Sequence, residues 1–321
     1  MPLTDLALLG GLFLGWGIGG NVAGNVFGTA VGTNSIRYRT AVWLIAVFCI
    51  VGAYVEGWQL YAGYKFADEM SMAQAAIATF SAAIVIIAQN RMGIPTSTSQ
   101  TSVGGIMGIA LYSDGWAGAD WMKLLGWLVC WVVLPVFSGL ISFFCMRVIG
   151  PLLNRYVKRM DLLNLIYKSG LIAFGCYGAY TLGGNNVVVT TGPFFQAGLF
   201  GDPSHKSAAV AAATVGGLTI ALGALTIGRR VMRTIGRGIT ALDPFAALVA
   251  VLAQSLTMHV FTTLHVPVSG SQAIVGAVAG VGFSKGTNTV NRKIIFSILA
   301  GWFLSPALSA VATVAIAWFF I

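Results

Sequence analysis

The chain has 321 residues, of which 57% are hydrophobic and only 8% are charged, and its formal net charge is +9. A soluble domain carries about 25% charged residues, so this composition excludes an ordinary soluble enzyme and predicts an all-α integral membrane protein. Lys and Arg accumulate on the cytoplasmic loops of membrane proteins, so the positive charge does not indicate a nucleic acid partner.

Ten apolar segments alternate with polar loops, five in residues 1–160 and five in residues 161–321. Their approximate bounds are 4–33, 39–63, 72–92, 97–112 and 121–149, then 165–192, 207–228, 242–264, 269–284 and 294–320. About 20 apolar residues are needed to cross a membrane. The first segment lacks a basic leader and a clear cleavage site, so we interpret it as a span and not as a signal peptide.

Asparagines interrupt the first and the sixth segments at equivalent places. Gly19-Gly20-Asn21 is repeated as Gly183-Gly184-Asn185. Buried amides need hydrogen-bond partners, and glycine lets a helix unwind so that carbonyls turn inward. This favours a substrate or ion site at a broken helix, with tight packing of helices through small residues as the alternative. The candidate amides are Asn21, Asn25, Asn185 and Asn186.

A hydroxyl-rich motif separates the third and fourth segments of each half. Residues 95–108 match residues 267–280 at seven of 14 positions, and both copies begin with a proline. Proline with clustered Ser and Thr ends one helix and caps the next, whose N-terminus suits a tetrahedral oxyanion. The alternative is a pair of proline-kinked helices whose hydroxyls bond to backbone carbonyls. The candidate ligand-binding residues are Ser97, Thr98, Ser99, Gln100, Ser269, Gly270, Ser271 and Gln272.

The repeated motifs predict an inverted repeat. Each half has five segments, and if residues of about 72–112 and 242–284 form re-entrant helical hairpins with broken helices, each half crosses the membrane three times. Both numbers are odd, so the second half enters from the opposite face, and the protein has six spans plus two hairpins. Asp243, before Pro244, is expected to cap the second hairpin's first helix.

The basic residues support this topology. Fourteen fall on one face, three (Lys65, Lys123 and Lys206) fall on the other, and Arg91 lies near a hairpin tip. The basic face is therefore predicted to be cytoplasmic, with both termini outside a cell membrane. The fourteen are Arg37, Arg39, Arg147, Arg155, Lys158, Arg159, Lys168, Arg229, Arg230, Arg233, Arg237, Lys285, Arg292 and Lys293.

These motifs resemble those of the inorganic phosphate transporter (PiT) family. The Gly-Gly-Asn segments are similar to its Gly-Ala-Asn-Asp-Val-Ala-Asn signatures, and the 95–100 and 267–272 segments resemble its Pro-Val-Ser-Thr-Thr-His motif. The resemblance covers nearly the whole chain without a large central loop. It implies an anion transporter in a lipid bilayer, with two re-entrant hairpins around a tetrahedral oxyanion, and commonly a homodimer.

The chain departs from the family pattern at its carboxylates. Val22 and Asn186 replace the signature aspartates, Val189 replaces the second Asn of a signature, and Gln100 and Gln272 replace the motif His. Sodium-coupled members use those aspartates for cation binding, so their loss argues against Na⁺ as the coupling ion. No cofactor and no metal site is expected, and paired carboxylates or a catalytic triad that would indicate an enzyme are missing.

Sulfate is the favoured substrate. Hydrogen phosphate carries an O–H and needs an acceptor, whereas sulfate needs donors only. The carbonyl of an Asn or Gln side chain can also accept, which keeps phosphate open. We therefore predict a secondary transporter that imports sulfate by alternating access, with a phosphate transporter or an uncoupled anion channel as alternatives.

Four further residues are candidates for coupling or for attracting the anion. Glu56, His259 and His265 could carry protons, the predicted coupling ion, and Arg91 could bind the substrate. The alternatives are that Arg91 reaches the interface or pairs with Glu56, that Glu56 pairs with a cation or lies close to the outer interface, and that the histidines are neutral core or cavity residues.

Overall fold

The computed structural model describes residues 3–61, 70–118, 121–264, 268–286 and 289–321. His265 and Pro267, both singled out above, lie outside these ranges. The helices are α1 (Leu3–Gly32), α2 (Tyr38–Gly52), α3 (Trp58–Leu60), α4 (Met72–Met92), α5 (Thr98–Asp114), α6 (Trp121–Tyr156), α7 (Met160–Gln196), α8 (Lys206–Ile227), α9 (Arg229–Arg233), α10 (Pro244–Thr263), α11 (Gly270–Lys285) and α12 (Arg292–Phe320). π-Helical turns at Ala53–Gly57 and Thr234–Gly238 follow α2 and α9.

Each of the ten predicted segments forms a helix within the described residues, and seven helices of these ranges are long and apolar enough to cross a membrane. The helix α7 is not among the seven, because buried amides and hydroxyls interrupt its apolar sequence. The seven candidate spans are Ala7–Gly32, Tyr38–Leu60, Met72–Met92, Leu124–Leu153, Lys206–Ile227, Pro244–Thr263 and Arg292–Phe320.

The core is centred on α1 and α10. In these helices 67% of the most apolar window is buried, against 22% in α6 and 28% in α12. The exposed faces of α6 and α12 carry large apolar side chains such as Val132, Phe144, Phe303 and Val311. Apolar surface on this scale is stable only against lipid or another apolar partner, so α6 and α12 are the outer helices.

The expectation of unwound helices at the Gly-Asn segments is wrong. Helix α1 is continuous through Asn21, and α7 is continuous through Asn185. The glycines instead allow close helix packing. A Cβ atom on Gly19 would overlap the Ile220 carbonyl of α8, and one on Gly183 would overlap the Cys49 carbonyl of α2. The helix backbone therefore stays regular and offers the amide side chains, not its carbonyls, to the interior.

Helices α1 and α7 pack against each other in antiparallel directions. Gly11 contacts Phe194, whereas Phe27, sixteen residues later in α1, contacts Gly175, which lies earlier in α7. This direction places the segment around Asn21 level with the segment around Asn185. The two amide-bearing segments therefore meet in the middle of the molecule.

Each helical hairpin docks on a proline-containing helix of the other half. Helix α5 packs on α12, where Gly104 lies against the carbonyl of Pro306, and α11 packs on α6, where Gly276 lies against the carbonyl of Pro135. The two contacts join equivalent positions of the repeat. The chain therefore folds as two interlocked halves, not as two separate units.

Asp243 holds the base of the second hairpin. Its carboxylate caps α10 by accepting a hydrogen bond from the Ala246 N–H (2.8 Å), as expected from the sequence, and it pairs with Lys285 at the end of α11 (2.5 Å). Burial raises the pKa of this carboxyl, but the hydrogen bonds and charge of Lys285 and the backbone N–H groups outweigh burial and place the pKa below its ordinary value.

Loss of Asp243 should therefore destabilise the protein in a pH-dependent manner. A carboxylate with a lowered folded-state pKa stabilises the fold above the unfolded value of about 3.9, and this contribution is lost as the pH falls through the folded pKa. We expect Asp243→Ala to cost about 1 kcal/mol at pH 7. Thermal unfolding against pH should show the difference shrinking in acid, with the exposed Asp114→Ala as the control. A difference that is independent of pH would contradict the ion pair.

Candidate functional site

The first motif forms the N-terminal end of α5. The first hydrogen bond of this helix runs from the Thr101 N–H to the Ser97 carbonyl (3.0 Å). The N–H groups of Thr98, Ser99 and Gln100 therefore have no partner within the helix and point out of its N-terminal end. Three side-chain oxygens here, Ser97 Oγ, Ser99 Oγ and Gln100 Oε1, are buried and have no hydrogen-bond partner in the described part of the chain. Buried polar atoms are almost always paired, so such a cluster indicates a ligand site.

Residues 95–100, which we call the first tip, are held by hydrogen bonds to the second half of the chain. The Thr98 hydroxyl donates to Asn186 Oδ1 (3.1 Å), and the Asn186 amide donates to the Leu182 carbonyl (2.8 Å). Trp302 of α12 donates its indole N–H to the Pro95 carbonyl (2.9 Å). The tip therefore has a defined position against α7 and α12.

The second motif forms the N-terminal end of α11 and meets the first half of the chain. The Ser271 hydroxyl lies 2.5 Å from Asn21 Oδ1 and 3.2 Å from Asn25 Oδ1, and the Asn25 amide donates to Asn21 Oδ1 (2.9 Å). A Cβ atom on Gly270 would lie 3.4 Å from Asn25 Nδ2, so the tip backbone approaches α1 closely. Gln272 Oε1 is buried and has no partner among the described residues.

Two residues of the amide network were missed in the sequence. Asn21 donates to Asn90 Oδ1 of α4 (3.4 Å), and Asn185 donates to the Thr262 hydroxyl of α10 (3.2 Å). Asn90 and Thr262 both lie five residues before the proline of their motif. That shared spacing is the signal that could have identified them.

The two clusters are arranged in the same way. Each tip bonds to an amide on the other half: Thr98 to Asn186 of α7, and Ser271 to Asn21 of α1. Since α1 and α7 pack together, the two helix N-termini converge on one pair of amide-bearing helices. Such a site offers N–H and O–H donors and the positive ends of two helix dipoles, which suit an anion.

The sequence profile of the phosphate transporter family (PHO4) matches residues 18–313. The chain belongs to the phosphate transporter family. This confirms the family inferred from the repeated motifs.

Two relatives of this family member carry different substrate names. It is 26% identical to the "Putative phosphate permease" of Haemophilus influenzae, over 92% of this chain and 91% of that one. It is 27% identical to "Sulfate permease CysP" of Bacillus subtilis, over 94% of this chain and 84% of that one. A solved structure titled "The sodium-dependent phosphate transporter" has the same fold, with a TM-score of 0.87, 24% identity and 99% of both chains covered.

Neutral side chains surround the site of this phosphate transporter family member. Val22, where the family pattern has an aspartate, is buried in the apolar core of α1, and Asn186 uses its amide to hold the first tip. In the hydrogen-bond network of the described residues, no carboxylate contacts Ser97–Gln100 or Ser269–Gln272. The positions of the signature aspartates therefore have packing and positioning roles here.

Glu56 and His259 are two of the candidate coupling residues, and neither makes a hydrogen bond to a tip within the described part of the chain. Glu56, in the π-helical turn after α2, lies beside the Tyr180 hydroxyl and near Tyr177 of α7. The Tyr177 ring in turn lies 5.6 Å from the His259 ring, and His259 Nδ1 is buried without a partner in the part of the chain that the structure describes. These contacts connect α2, α7 and α10.

Arg91 is exposed and lines a cavity beside the first tip. The ion pairs found among the described residues, Lys285–Asp243 and His205–Asp202, do not include Arg91, so the suggested pairing of Arg91 with Glu56 is not seen there. Arg91 therefore stands as a residue of the cavity wall, outside the buried hydroxyl cluster.

Proposed function

We propose that this family member is a secondary transporter that imports a tetrahedral oxyanion, with sulfate as the preferred substrate. One observation carries the proposal: buried side-chain oxygens without partners among the described residues lie at the starts of both α5 and α11. They are Ser97 Oγ, Ser99 Oγ and Gln100 Oε1 at α5, and Gln272 Oε1 at α11. Ser97, Thr98, Ser99 and Gln100 would bind the anion from one side, with Ser269, Gly270, Ser271 and Gln272 from the other. Asn21, Asn25, Asn185 and Asn186 would position the two tips and complete the site.

The proposed mechanism is alternating access by an inverted repeat. The antiparallel packing of α1 and α7 and the equivalent contacts of Gly104 and Gly276 support two repeats, residues 1–160 and 161–321, related by an axis in the membrane plane. The hairpins α4–α5 and α10–α11 would be re-entrant, and each would move against the helix that holds its tip. We propose that the basic face is the cytoplasmic face of a cell membrane and that both termini lie outside. We also propose that the protein forms a homodimer.

The neutral site supports sulfate over phosphate. Sulfate accepts hydrogen bonds at every oxygen, and the Ser97 and Ser99 hydroxyls and the N–H groups of the tip can all donate to it. Hydrogen phosphate also requires an acceptor, which a carboxylate would normally provide. Loss of the carboxylates at positions 22 and 186 therefore shifts the preference towards the unprotonated anion.

Competition for uptake tests the substrate. In proteoliposomes, uptake of labelled sulfate should be inhibited by unlabelled sulfate, molybdate and thiosulfate at lower concentrations than by phosphate. Inhibition by phosphate alone would contradict sulfate as the substrate.

Phosphate transport is the second candidate, and Gln100 and Gln272 are the observation that favours it. Their Oε1 atoms are buried without donors among the described residues, so they could accept a hydrogen bond from the O–H of hydrogen phosphate. Because a glutamine replaces the family's His in both motif copies, each tip offers such an acceptor. The Gln100→Glu change should weaken sulfate uptake more than phosphate uptake.

Uptake of a divalent anion requires a coupling ion. Moving a charge of −2 inward against 100 mV costs about 4.6 kcal/mol, twice the value for one charge. We propose protons as the coupling ion, with Glu56 as their carrier and Tyr180, Tyr177 and His259 lining the route toward α10. Sodium coupling is disfavoured because the chain lacks the signature aspartates that would bind the cation. An uncoupled channel would need no proton carrier.

Replacement of the carrier should separate coupling from binding. We expect Glu56→Gln to abolish accumulation driven by a pH gradient while exchange of labelled for unlabelled sulfate continues, because exchange needs no net proton movement. The control is Asp202→Asn, which removes an exposed carboxylate from a loop. Gradient-driven accumulation that survives in Glu56→Gln would exclude Glu56 as the carrier.

A further inference from the structure

Two adjoining cavities open beside α9 and are lined by arginines. The larger, of about 610 Å³, is bordered by Asn90, Arg91, Arg229, Arg230 and Arg233. The smaller, of about 350 Å³, is bordered by Arg37, Arg237 and again by Arg229 and Arg233. We refer to the two together as the arginine vestibule.

The charges of the arginine vestibule are not compensated by carboxylates. Among the described residues, no Asp or Glu lines either cavity, and the ion pairs found there lie elsewhere. Guanidinium groups this close together repel one another, and an anion that neutralises them would be bound favourably.

Neutral groups hold several of these arginines in place. Arg230 donates to the backbone carbonyl of Arg91, Arg237 donates to the Gly32 carbonyl and to Asn34 Oδ1 (both 2.9 Å), and Arg229 lies 5.9 Å from the centre of the Tyr38 ring. Carbonyl and ring partners orient a guanidinium without removing its charge. The vestibule is therefore positioned to bind an anion and is not a set of freely moving side chains.

The vestibule also connects with the buried amide network. Asn90 borders the larger cavity and accepts a hydrogen bond from Asn21, which in turn contacts Ser271 of the second tip. At the first tip, a Cβ atom on Gly93 would lie 3.2 Å from Thr234 of the segment that follows α9. An anion in the vestibule would thus lie next to the first tip, and only the Asn90 side chain would separate it from Asn21 in the proposed central site.

We propose that the arginine vestibule is a second, weaker binding site for a divalent tetrahedral oxyanion, through which substrate passes between the central site and the basic face. The inference rests on the proposed function. The same chemistry is offered by free sulfate or phosphate and by the phosphate of a lipid head group. The connection through Asn90 assigns the site to the free anion.

The test compares Arg229→Gln/Arg233→Gln with Arg39→Gln/Lys293→Gln. The first pair removes two charges shared by both cavities, whereas the second removes two exposed charges that border neither cavity. Binding of radiolabelled sulfate to the solubilised protein should resolve a tight and a weak site in the wild type. The first variant should lose only the weak site. Its exchange flux should be about ten-fold below that of the wild type at low ionic strength, and the difference should disappear in high salt, because salt screens the attraction that the wild-type arginines exert on the anion.

Three results would overturn the inference: a weak site that persists in Arg229→Gln/Arg233→Gln, an equal loss in the control, or a flux defect that occurs in vesicles containing phosphatidylglycerol but not in pure phosphatidylcholine. The last result would assign the vestibule to lipid head groups. The proposed function itself would fail if the wild type lacked the tight site and took up neither sulfate nor phosphate. That result is distinguishable from a failure of the vestibule inference, in which the tight site and uptake are present but the weak site is not.

Discussion

Ser97→Ala/Ser99→Ala should abolish high-affinity binding of the oxyanion and leave the empty protein as stable as the wild type. Both hydroxyls are buried and have no partner in the described part of the chain, so their removal breaks no internal hydrogen bond. A hydrogen bond to a charged group contributes about 1.5–3 kcal/mol, so loss of two should weaken affinity by at least about 100-fold.

Thermal unfolding with and without sulfate measures both effects. A ligand that binds only the folded state raises its stability, so the wild type should gain stability with sulfate and the double variant should not. Ser102→Ala is the matched control, since its hydroxyl lies on the same helix but already donates to the Thr98 carbonyl (2.9 Å). Equal stabilisation of all three proteins by sulfate would show that the first tip does not bind the anion.

Gly276→Ala and Gly104→Ala should each displace a hairpin from the helix on which it docks. The added Cβ atoms would overlap the carbonyl oxygens of Pro135 and Pro306, which are backbone atoms and cannot rotate away. Forcing extra atoms into packed helices typically costs about 1–3 kcal/mol. Because each displaced hairpin carries one tip, transport should be lost together with stability.

Gly126→Ala is the control for this prediction. Gly126 lies on α6, the helix of Pro135, but a Cβ atom there would meet nothing within 4 Å. Alanine in a helix is more stable than glycine by about 0.5–1 kcal/mol, so this variant should unfold at the same temperature as the wild type or slightly above it. Normal uptake by Gly276→Ala would contradict a fixed docking of the second hairpin.

The helices were predictable because each apolar segment is long and bounded by polar loops. The basic loop around residues 150–164 was predicted to lie between spans, but α6 continues to Tyr156 and α7 begins at Met160. The helix α9 and its π-helical turn were also missed. Both segments carry several basic residues and therefore resemble polar loops, and their helical structure depends on contacts that a single sequence does not show.

The roles of the glycines depend on the partner helix. Gly19 and Gly183 suggested unwound backbone, because glycine destabilises an isolated helix, yet each is the point where another helix backbone approaches. The tips, in contrast, were predictable from local chemistry, since proline with clustered hydroxyls determines where a helix begins. Asn90 and Thr262 bind across the fold, so only comparison of the two halves could reveal them.

Uptake of labelled sulfate into sodium-free proteoliposomes tests the central proposal most directly. The neutral, donor-rich site predicts that an inward proton gradient drives accumulation of sulfate without Na⁺, and that Ser97→Ala/Ser99→Ala abolishes it. Uptake that requires Na⁺, or that occurs with phosphate and never with sulfate, would contradict this account.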